Sequence, residues 1–222
     1  MSAILFGSIS SVADTSELQR QAFNQAFATH GLDWQWDQDD YRAMLATSGG
    51  ASRVKEYAEA RGEDVDAAAV HATKSEIFQT SLADARLQPR PGVVDAITGA
   101  KEQGWKVGLV TTTSPDNISA LLGALSPDVS ADAFDVIVDV TSVETPKPDQ
   151  AAYAFAVRNL GESVDDCVAV EDNVEGVQAA QAAGLPCVAF PNENTAGHDF
   201  TAADRSVDHL DASELQQLVH RR

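Results

Sequence analysis

Hydrophobic positions recur with helical spacing in the first third of the chain, after one short apolar run. That run, Ala3–Phe6, predicts a buried strand at the start of the sequence. Residues 15–87 then show apolar positions three and four residues apart. The clearest series are Leu18, Ala22, Phe23, Ala26 and Phe27, and further along Val54, Tyr57 and Ala58. Residues 15–87 are therefore predicted to form a group of helices.

Residues 88–222 alternate between short apolar runs and helical patterns. The predicted strands are Val107–Val110, Val136–Val138, Val168–Val170 and Cys187–Phe190. The predicted helices are Gly92–Gln103, Ser114–Leu122, Gln150–Leu160 and Val174–Ala183. Strands separated by helices predict a parallel sheet with helices on both faces. The fold class is therefore α/β: a Rossmann-like core over residues 1–14 and 88–222, with an inserted α-helical cap over residues 15–87.

Polar segments follow three of the predicted strands and occupy one further loop. They are Gly7–Ser11, Thr111–Asn117, Thr145–Asp149 and Glu171–Asn173. In a parallel sheet, the carboxyl ends of the strands lie along one edge, where ligands bind. The segments bring a hydroxyl, an ammonium and a pair of carboxylates to that edge. This combination suits an anionic group together with a divalent cation.

Each of these polar segments also has a purely structural interpretation. Ser114 or Asp116 could cap a helix. Lys147, between two prolines, could be a solvated loop lysine. The Glu171–Asp172 pair precedes a predicted helix and would favour its dipole in any protein. Four such segments in this order are stronger evidence of a site than any one of them.

The composition narrows the possible partners. The 222 residues carry a formal net charge of −19, which excludes nucleic acid because no basic patch could neutralise phosphates. Such dispersed acidity favours solubility and disfavours an anionic membrane surface. No run of about 18 apolar residues predicts a membrane span, and the N-terminus lacks a signal-peptide pattern, so we expect a cytoplasmic protein. Cys167 and Cys187 are predicted to be inert core thiols, and no protein partner is identified.

Longer segments carry a resemblance that covers essentially the whole chain. They are SGGASRVKEY (48–57), HATKSEIF (71–78), PRPGV (89–93), VTTTSPDNISALL (110–122), KPDQAAYAFAVRNLG (147–161) and VAVEDNVEGVQAAQAAGLPCVAFPN (168–192). In these segments the chain resembles the haloacid dehalogenase (HAD) superfamily. Within it, the chain is most similar to the β-phosphoglucomutase-like branch, and especially to the xylulose-1,5-bisphosphate phosphatase (CbbY) type. The resemblance implies a HAD α/β core with a helical cap.

The first motif of that family is where this sequence departs from it. Members typically carry Phe-Asp-Leu-Asp-Gly-Thr, and Phe6-Gly7-Ser8-Ile9 aligns with it without a gap. Gly7 thus stands in place of the nucleophilic aspartate and Ile9 in place of the general acid and base. Asp14 matches a later aspartate and is predicted to be a helix cap or hinge residue. We therefore expect no catalytic residue in the first motif.

The later motifs imply a phosphate site and a weak metal site. By resemblance, the phosphate-binding residues are Ser8, Thr111, Thr112 and Lys147, together with backbone amides of the turn after the first strand. A weakly held Mg²⁺ would be bound by Asp172, Glu171 and the backbone carbonyl of Ile9. Arg53 and Lys74 match cap positions that would hold the second phosphate of a bisphosphate. Either could equally be a solvated helix charge.

Three functions remain open from the sequence. The first expectation is a catalytically degenerate HAD protein that binds a phosphorylated small metabolite as a sensor or regulator. The alternative is an active phosphatase on a sugar phosphate, in which water attacks directly with Mg²⁺ while Asp172 and Lys147 organise the site. The third is a structural or interaction protein without a ligand. The intact later motifs argue against the third.

Overall fold

The computed structural model describes residues 2–46 and 49–219. Residues 1 and 220–222 of the predicted core and residues 47 and 48 of the predicted cap lie outside the described residues, and Ser48 is the first residue of one segment that carries the resemblance. Within the described residues, the strands are β1 (Ala3–Phe6), β2 (Lys106–Val110), β3 (Val136–Val138), β4 (Cys167–Glu171), β5 (Cys187–Ala189) and β6 (Arg205–Ser206). They form one parallel sheet in the order β3-β2-β1-β4-β5-β6. The predicted parallel sheet is confirmed.

The helices of the described chain fall into two groups. The first group follows β1: α1 (Ile9–Val12), α2 (Ser16–Thr29), α3 (Gln38–Met44), α4 (Gly50–Arg61) and α5 (Ala67–Asp84). The second group alternates with the later strands: α6 (Val93–Glu102), α7 (Pro115–Leu125), α8 (Ala151–Leu160), α9 (Val174–Ala182) and α10 (Ala212–Val219). None of the described helices has the length and apolar character needed to cross a membrane.

Strand β1 is buried on both faces because successive side chains point to opposite sides of a sheet. Ile4 and Phe6 pack into one hydrophobic cluster, to which α6, α7 and α10 contribute. Ala3 and Leu5 pack into the other, to which α8 and α9 contribute. Helices therefore cover both faces, as the sequence predicts.

The helices between β1 and α6 have an aromatic core of their own. The Phe23 and Trp36 rings lie 4.9 Å apart, and the Phe27 and Trp36 rings 4.6 Å apart. The last turns of α5 behave differently, because Phe78 and Leu82 pack in the same cluster as the sheet. The division between cap and core at residues 14/15 and 87/88 stays a prediction.

Candidate functional site

The carboxyl ends of β1 and β4 lie side by side where the strand order reverses. Phe6 pairs with Val170 in register. The Gly7 amide donates to the Val170 carbonyl oxygen at 2.8 Å, so the first residue after β1 lies next to the end of β4. Ligands of open α/β sheets bind at such a reversal point. The predicted residues Ser8, Glu171 and Asp172 are thereby brought to one place.

Lys147 reaches this edge and is fully engaged there. Its Nζ donates to the carbonyl oxygens of Gly7 and Val110, the latter at 2.7 Å, and to Glu171 Oε1 at 2.6 Å. An ammonium group has three protons, and these three acceptors use them all. The residue is only 6% exposed, so the interpretation as a solvated loop lysine is wrong.

Glu171 is completely buried and lies over two glycines. Its Oε1 also accepts a hydrogen bond from the Tyr153 hydroxyl at 2.7 Å. A Cβ atom on Gly7 would lie 2.1 Å from Glu171 Cδ, and one on Gly176 would lie equally close to it. Burial raises the pKa of the Glu171 carboxyl, and the neighbouring Lys147 ammonium opposes that shift. The space above residue 7 is thus filled by the carboxyl group of Glu171.

Asp172 faces a different set of partners from its neighbour in sequence. Its Oδ1 accepts from Ser8 Oγ at 2.6 Å and from Asn173 Nδ2 at 3.1 Å, and its Oδ2 accepts from Asn192 Nδ2 at 2.7 Å. The Ser8 hydroxyl also accepts from the Ser11 amide at 2.9 Å, as the N-cap of α1. Ser8 and Asp172 are therefore held together rather than left open.

The residues at this edge do not fit the magnesium site that the resemblance implies. Glu171 is turned towards Lys147, and the Ile9 carbonyl oxygen accepts from the Ala13 amide at 3.1 Å. Of the three predicted ligands, Asp172 is the one carboxylate left, and the Ile9 carbonyl oxygen keeps a single lone pair, so fewer oxygen ligands remain for Mg²⁺ than the resemblance implies. Over residues 2–46 and 49–219, no group of three or more His, Cys, Asp or Glu side chains could hold a metal ion. We therefore derive no step through Mg²⁺.

The remaining predicted phosphate contacts differ in their surroundings. Thr111 is 4% exposed, and its hydroxyl accepts from the Thr113 amide at 3.2 Å. Thr112 is half-buried. The Ser8 amide donates to Ser11 Oγ at 3.2 Å, and the Gly7 amide is also paired. These two amides of the turn therefore do not form the predicted phosphate cradle.

The helices between β1 and α6 bury two cations near each other. Lys74 on α5 is 3% exposed, donates to Gln19 Oε1 at 3.0 Å and lies 4.8 Å from the Phe23 ring centroid. Arg53 on α4 is 8% exposed, and its Nε donates to the Met44 carbonyl oxygen at 3.0 Å. The interpretation of both as solvated helix charges is wrong.

A histidine completes this basic group. Burial, and then the charges of Lys74 and Arg53, lower the pKa of His71 to about 4, so its ring is neutral near pH 7. Burial and the Arg53 charge lower the pKa of Lys74 to about 7. None of the ion pairs between described residues includes Lys74. Buried charge is costly unless an opposite charge offsets it, and the lowered pKa of Lys74 reflects that cost.

Replacing Lys74 with methionine is expected to remove a pH dependence of stability. The pKa of Lys74 is about 7 in the folded protein against 10.5 ordinarily. The unfolded chain therefore binds more protons between these values, and the free energy of unfolding rises with pH there. The slope from this group approaches about 1.4 kcal/mol per pH unit. Urea unfolding from about pH 7 to about pH 8.5 measures it.

The matched control for this prediction is Lys55→Met, since the Lys55 side chain is 70% exposed. It should keep the slope of the native protein. Equal slopes in the native protein and in Lys74→Met would contradict the buried, partly neutral state of Lys74.

Several residues of this region escaped the sequence analysis. Tyr153 lies on α8, about one helical turn after the polar segment Thr145–Asp149. Asn192 lies shortly after the end of β5. Asn194 Nδ2 donates to Ser16 Oγ at 3.1 Å, which connects this loop to the start of α2. The polar run after β5 was a signal for these asparagines, because it follows a strand at the same edge of the sheet.

An open cavity of about 650 Å³ lies elsewhere, beside β6 and the start of α10. Its lining includes Asp208, His209, Asp211 and Glu214 and none of the predicted site residues. Three carboxylates repel a phosphate, so this cavity does not compete as the phosphate site.

Known proteins resemble the chain over almost its full length. A family model described as haloacid dehalogenase-like hydrolase matches residues 6–184. Protein CbbY of Rhodobacter capsulatus is 36% identical over 221 residues, covering 98% of this chain and 97% of that protein. The crystal structure of CbbY from Rhodobacter sphaeroides in complex with phosphate is 37% identical, with a TM-score of 0.87 and 94% of each chain covered. A mutant of that protein in complex with xylulose-(1,5)bisphosphate matches equally well.

These similarities confirm the HAD-like fold and support the CbbY-like branch that the resemblance implied. They also bear on the order of the three functional hypotheses. A hydrolase family model and whole-length similarity to a protein crystallised with a sugar bisphosphate favour an active phosphatase over binding without turnover. The sequence alone had ranked these two the other way.

Proposed function

The chain belongs to the haloacid dehalogenase-like hydrolase family, and from that premise we propose that it binds a phosphorylated sugar and hydrolyses it slowly with water. The sugar lies between the cap helices and the carboxyl edge of the sheet. One observation carries the proposal: Lys74 is buried next to Arg53 and takes part in none of the ion pairs between described residues, so a bound phosphate would offset its charge. The similarity to a protein crystallised with a sugar bisphosphate supports the same ligand class.

In this proposal the basic group in the cap holds one phosphate. Hydrogen bonds to charged groups contribute about 1.5–3 kcal/mol each, more than neutral ones. The net charge of −19 repels phosphate at long range, so recognition depends on a local group of buried cations. His71, neutral near pH 7, adds hydrogen-bonding capacity without adding charge.

The reacting phosphate lies at the sheet edge, near the predicted contacts. These contacts are Thr111, Thr112 and Lys147, and Ser8 joins them only when its hydroxyl releases Asp172. Lys147 already has three acceptors, so a phosphate that binds it directly must replace one of them. This requirement weakens phosphate binding at the edge relative to the cap.

Hydrolysis in this protein uses water as the attacking group: the water oxygen bonds to phosphorus while the bond from phosphorus to the sugar oxygen breaks, and the sugar oxygen takes its proton from solvent. Gly7 has no side chain to form a phosphoenzyme, and Ile9 has no proton to exchange. Phosphoryl transfer passes through a loose transition state, in which positioning and charge matter more than a strong nucleophile. Asp172, fixed by Ser8 and Asn192, is the carboxylate that orients the water. Loss of the general acid alone slows turnover by about 10²–10⁴-fold.

A second candidate is binding without turnover, as a sensor or regulator. A specific observation favours it: neither residue 7 nor residue 9 is a carboxylate, and Glu171 is occupied by Lys147 and Tyr153. Phosphate release from a panel of sugar phosphates and bisphosphates separates the candidates, with calorimetric titration of the same compounds. Slow release supports hydrolysis, and binding without release supports the sensor. A protein that neither binds these compounds nor releases phosphate from them would overturn both candidates.

Arg53→Met and Lys74→Met are each expected to weaken the binding of a sugar bisphosphate. Removing one charged hydrogen bond of about 1.5–3 kcal/mol raises the Kd by about 10–100-fold. Calorimetric titration measures the Kd of each variant. Lys55→Met, on the exposed surface of α4, is the matched control and should keep the native Kd. Unchanged affinity in both cap variants would exclude the cap as the phosphate site.

A further inference from the structure

The Lys147 ammonium and the Tyr153 hydroxyl form an anion pocket above two glycines. We propose that the carboxyl group of Glu171 is the internal occupant of this pocket, and that a small carboxylate or phosphate takes its place when Glu171 is removed. Glu171 is thus an intramolecular ligand of Lys147. The proposal goes beyond the proposed function and does not depend on turnover.

The glycines show that the pocket is shaped around this side chain. A Cβ on Gly176 would lie 2.1 Å from Glu171 Cδ, 2.2 Å from Oε2 and 2.3 Å from Oε1. A Cβ on Gly7 would lie 2.1 Å from Glu171 Oε1 and 2.3 Å from the Tyr153 hydroxyl. Real Cβ atoms do not approach other atoms this closely. Both backbones therefore leave open a space that the Glu171 carboxyl fills, with the Tyr153 hydroxyl beside it above Gly7.

The partners of Glu171 are those of an anion site. Lys147 Nζ lies 2.6 Å and the Tyr153 hydroxyl 2.7 Å from the same oxygen, Glu171 Oε1. All three residues are almost completely buried, so water cannot replace the carboxylate at low cost. Removing the Glu171 carboxylate leaves the Lys147 ammonium without an opposite charge, next to a cavity of the size of the lost carboxylate. A small oxyanion offers the same charge and acceptors.

Chemical rescue tests the proposal directly. Glu171→Ala is expected to lower the Tm, and formate, acetate or inorganic phosphate is expected to raise it again by more than the same anion raises the Tm of the native protein. Sodium chloride at the same ionic strength is the salt control. The double variant Glu171→Ala/Lys147→Met should show no rescue, because it lacks the cation. If Glu171→Ala folds only partly, the yield of refolding with and without formate gives the same comparison.

Gly176→Ala supplies an independent test through a change of sign. In the native background it should lower the Tm, because the new methyl group meets Glu171. In the Glu171→Ala background it should raise the Tm by about 2–4 °C, because alanine is the better helix former. In Glu171→Gln, which keeps the volume, Gly176→Ala should remain destabilising and formate should have no effect.

Two results would overturn the proposal. One is a Glu171→Ala protein that no small oxyanion stabilises beyond the chloride control. The other is a Gly176→Ala effect of the same sign with and without the Glu171 side chain. Both readouts are made without substrate, so a failure here is distinct from a failure of the proposed function.

Discussion

Lys147→Met should be among the most destabilising single substitutions at the site, lowering the free energy of unfolding by about 3–5 kcal/mol. It leaves Glu171 as a completely buried carboxylate with no cation beside it, and it removes the donors to the Gly7 and Val110 carbonyl oxygens. Breaking a buried ion pair by removing one partner costs this much because the remaining charge cannot reach water. Urea unfolding measures the loss.

Glu171→Gln in the Lys147→Met background should recover part of that stability. The glutamine keeps the volume and the acceptor for Tyr153 while removing the unpaired charge. If the two residues are coupled, the double variant loses less free energy of unfolding than the sum of the losses in Lys147→Met and Glu171→Gln alone. Lys55→Met, with its exposed side chain, is the matched control and should change the free energy of unfolding by less than about 0.5 kcal/mol. A loss of less than about 1 kcal/mol in Lys147→Met would contradict a buried ion pair.

Asp172→Ala is expected to abolish the slow phosphate release while leaving the affinity for a sugar bisphosphate within a few-fold of the native value. Of the Glu171–Asp172 pair, Asp172 is the carboxylate that is not paired with Lys147, and Ser8 and Asn192 fix its orientation. A positioned group that handles a proton contributes about 10²–10⁴-fold to a rate. The cap cations are unaffected by the change, so binding persists. Phosphate release and calorimetric titration together check the prediction.

Asp116→Ala is the matched control for that experiment. Asp116 is an exposed carboxylate in the first turn of α7 and belongs to one of the polar segments at the same sheet edge. Its loss should leave phosphate release unchanged. Equal loss in Asp116→Ala and Asp172→Ala would mean that general acidity of the edge, rather than a positioned carboxylate, supports the reaction.

The sheet could be predicted because a strand that is buried on both faces is a continuous run of apolar residues in the sequence. Strand β1 is apolar at all four positions, since neighbouring strands and helices cover both of its faces. The elements α1, β6 and α10 were missed, although α10 has helical spacing at Leu215, Leu218 and Val219. Strand β6 has only two residues, and α1 is a four-residue turn. Segments this short show no period that distinguishes a strand from a helix.

The spacing of the motifs predicted which residues lie near one another, but not which of them contact each other. Glu171 ends β4 and Asp172 follows it, so the two side chains leave the strand on opposite sides. Glu171 meets Lys147 and Tyr153, whereas Asp172 meets Ser8 and Asn192. The sequence analysis treated them as one acidic pair and joined them in a metal site. Only three-dimensional packing separates them.

Burial decided what the sequence left open in the cap. Arg53 and Lys74 fit a solvated helix face as well as a ligand site, because a charged residue on a helix has the same spacing in either case. Their exposures of 8% and 3% exclude the solvated face. The lowered pKa of Lys74 follows from burial and from Arg53 nearby, and neither influence is visible in a linear sequence.

The central claim is hydrolysis without a nucleophilic side chain at residue 7. Its most direct test measures phosphate release from sugar bisphosphates and, in samples quenched with acid during turnover, the mass of the intact protein. We predict slow release of inorganic phosphate, lost in Asp172→Ala, with no phosphorylated protein at any time. Rapid release accompanied by a protein that carries one phosphoryl group would contradict this mechanism and require a nucleophile elsewhere in the chain.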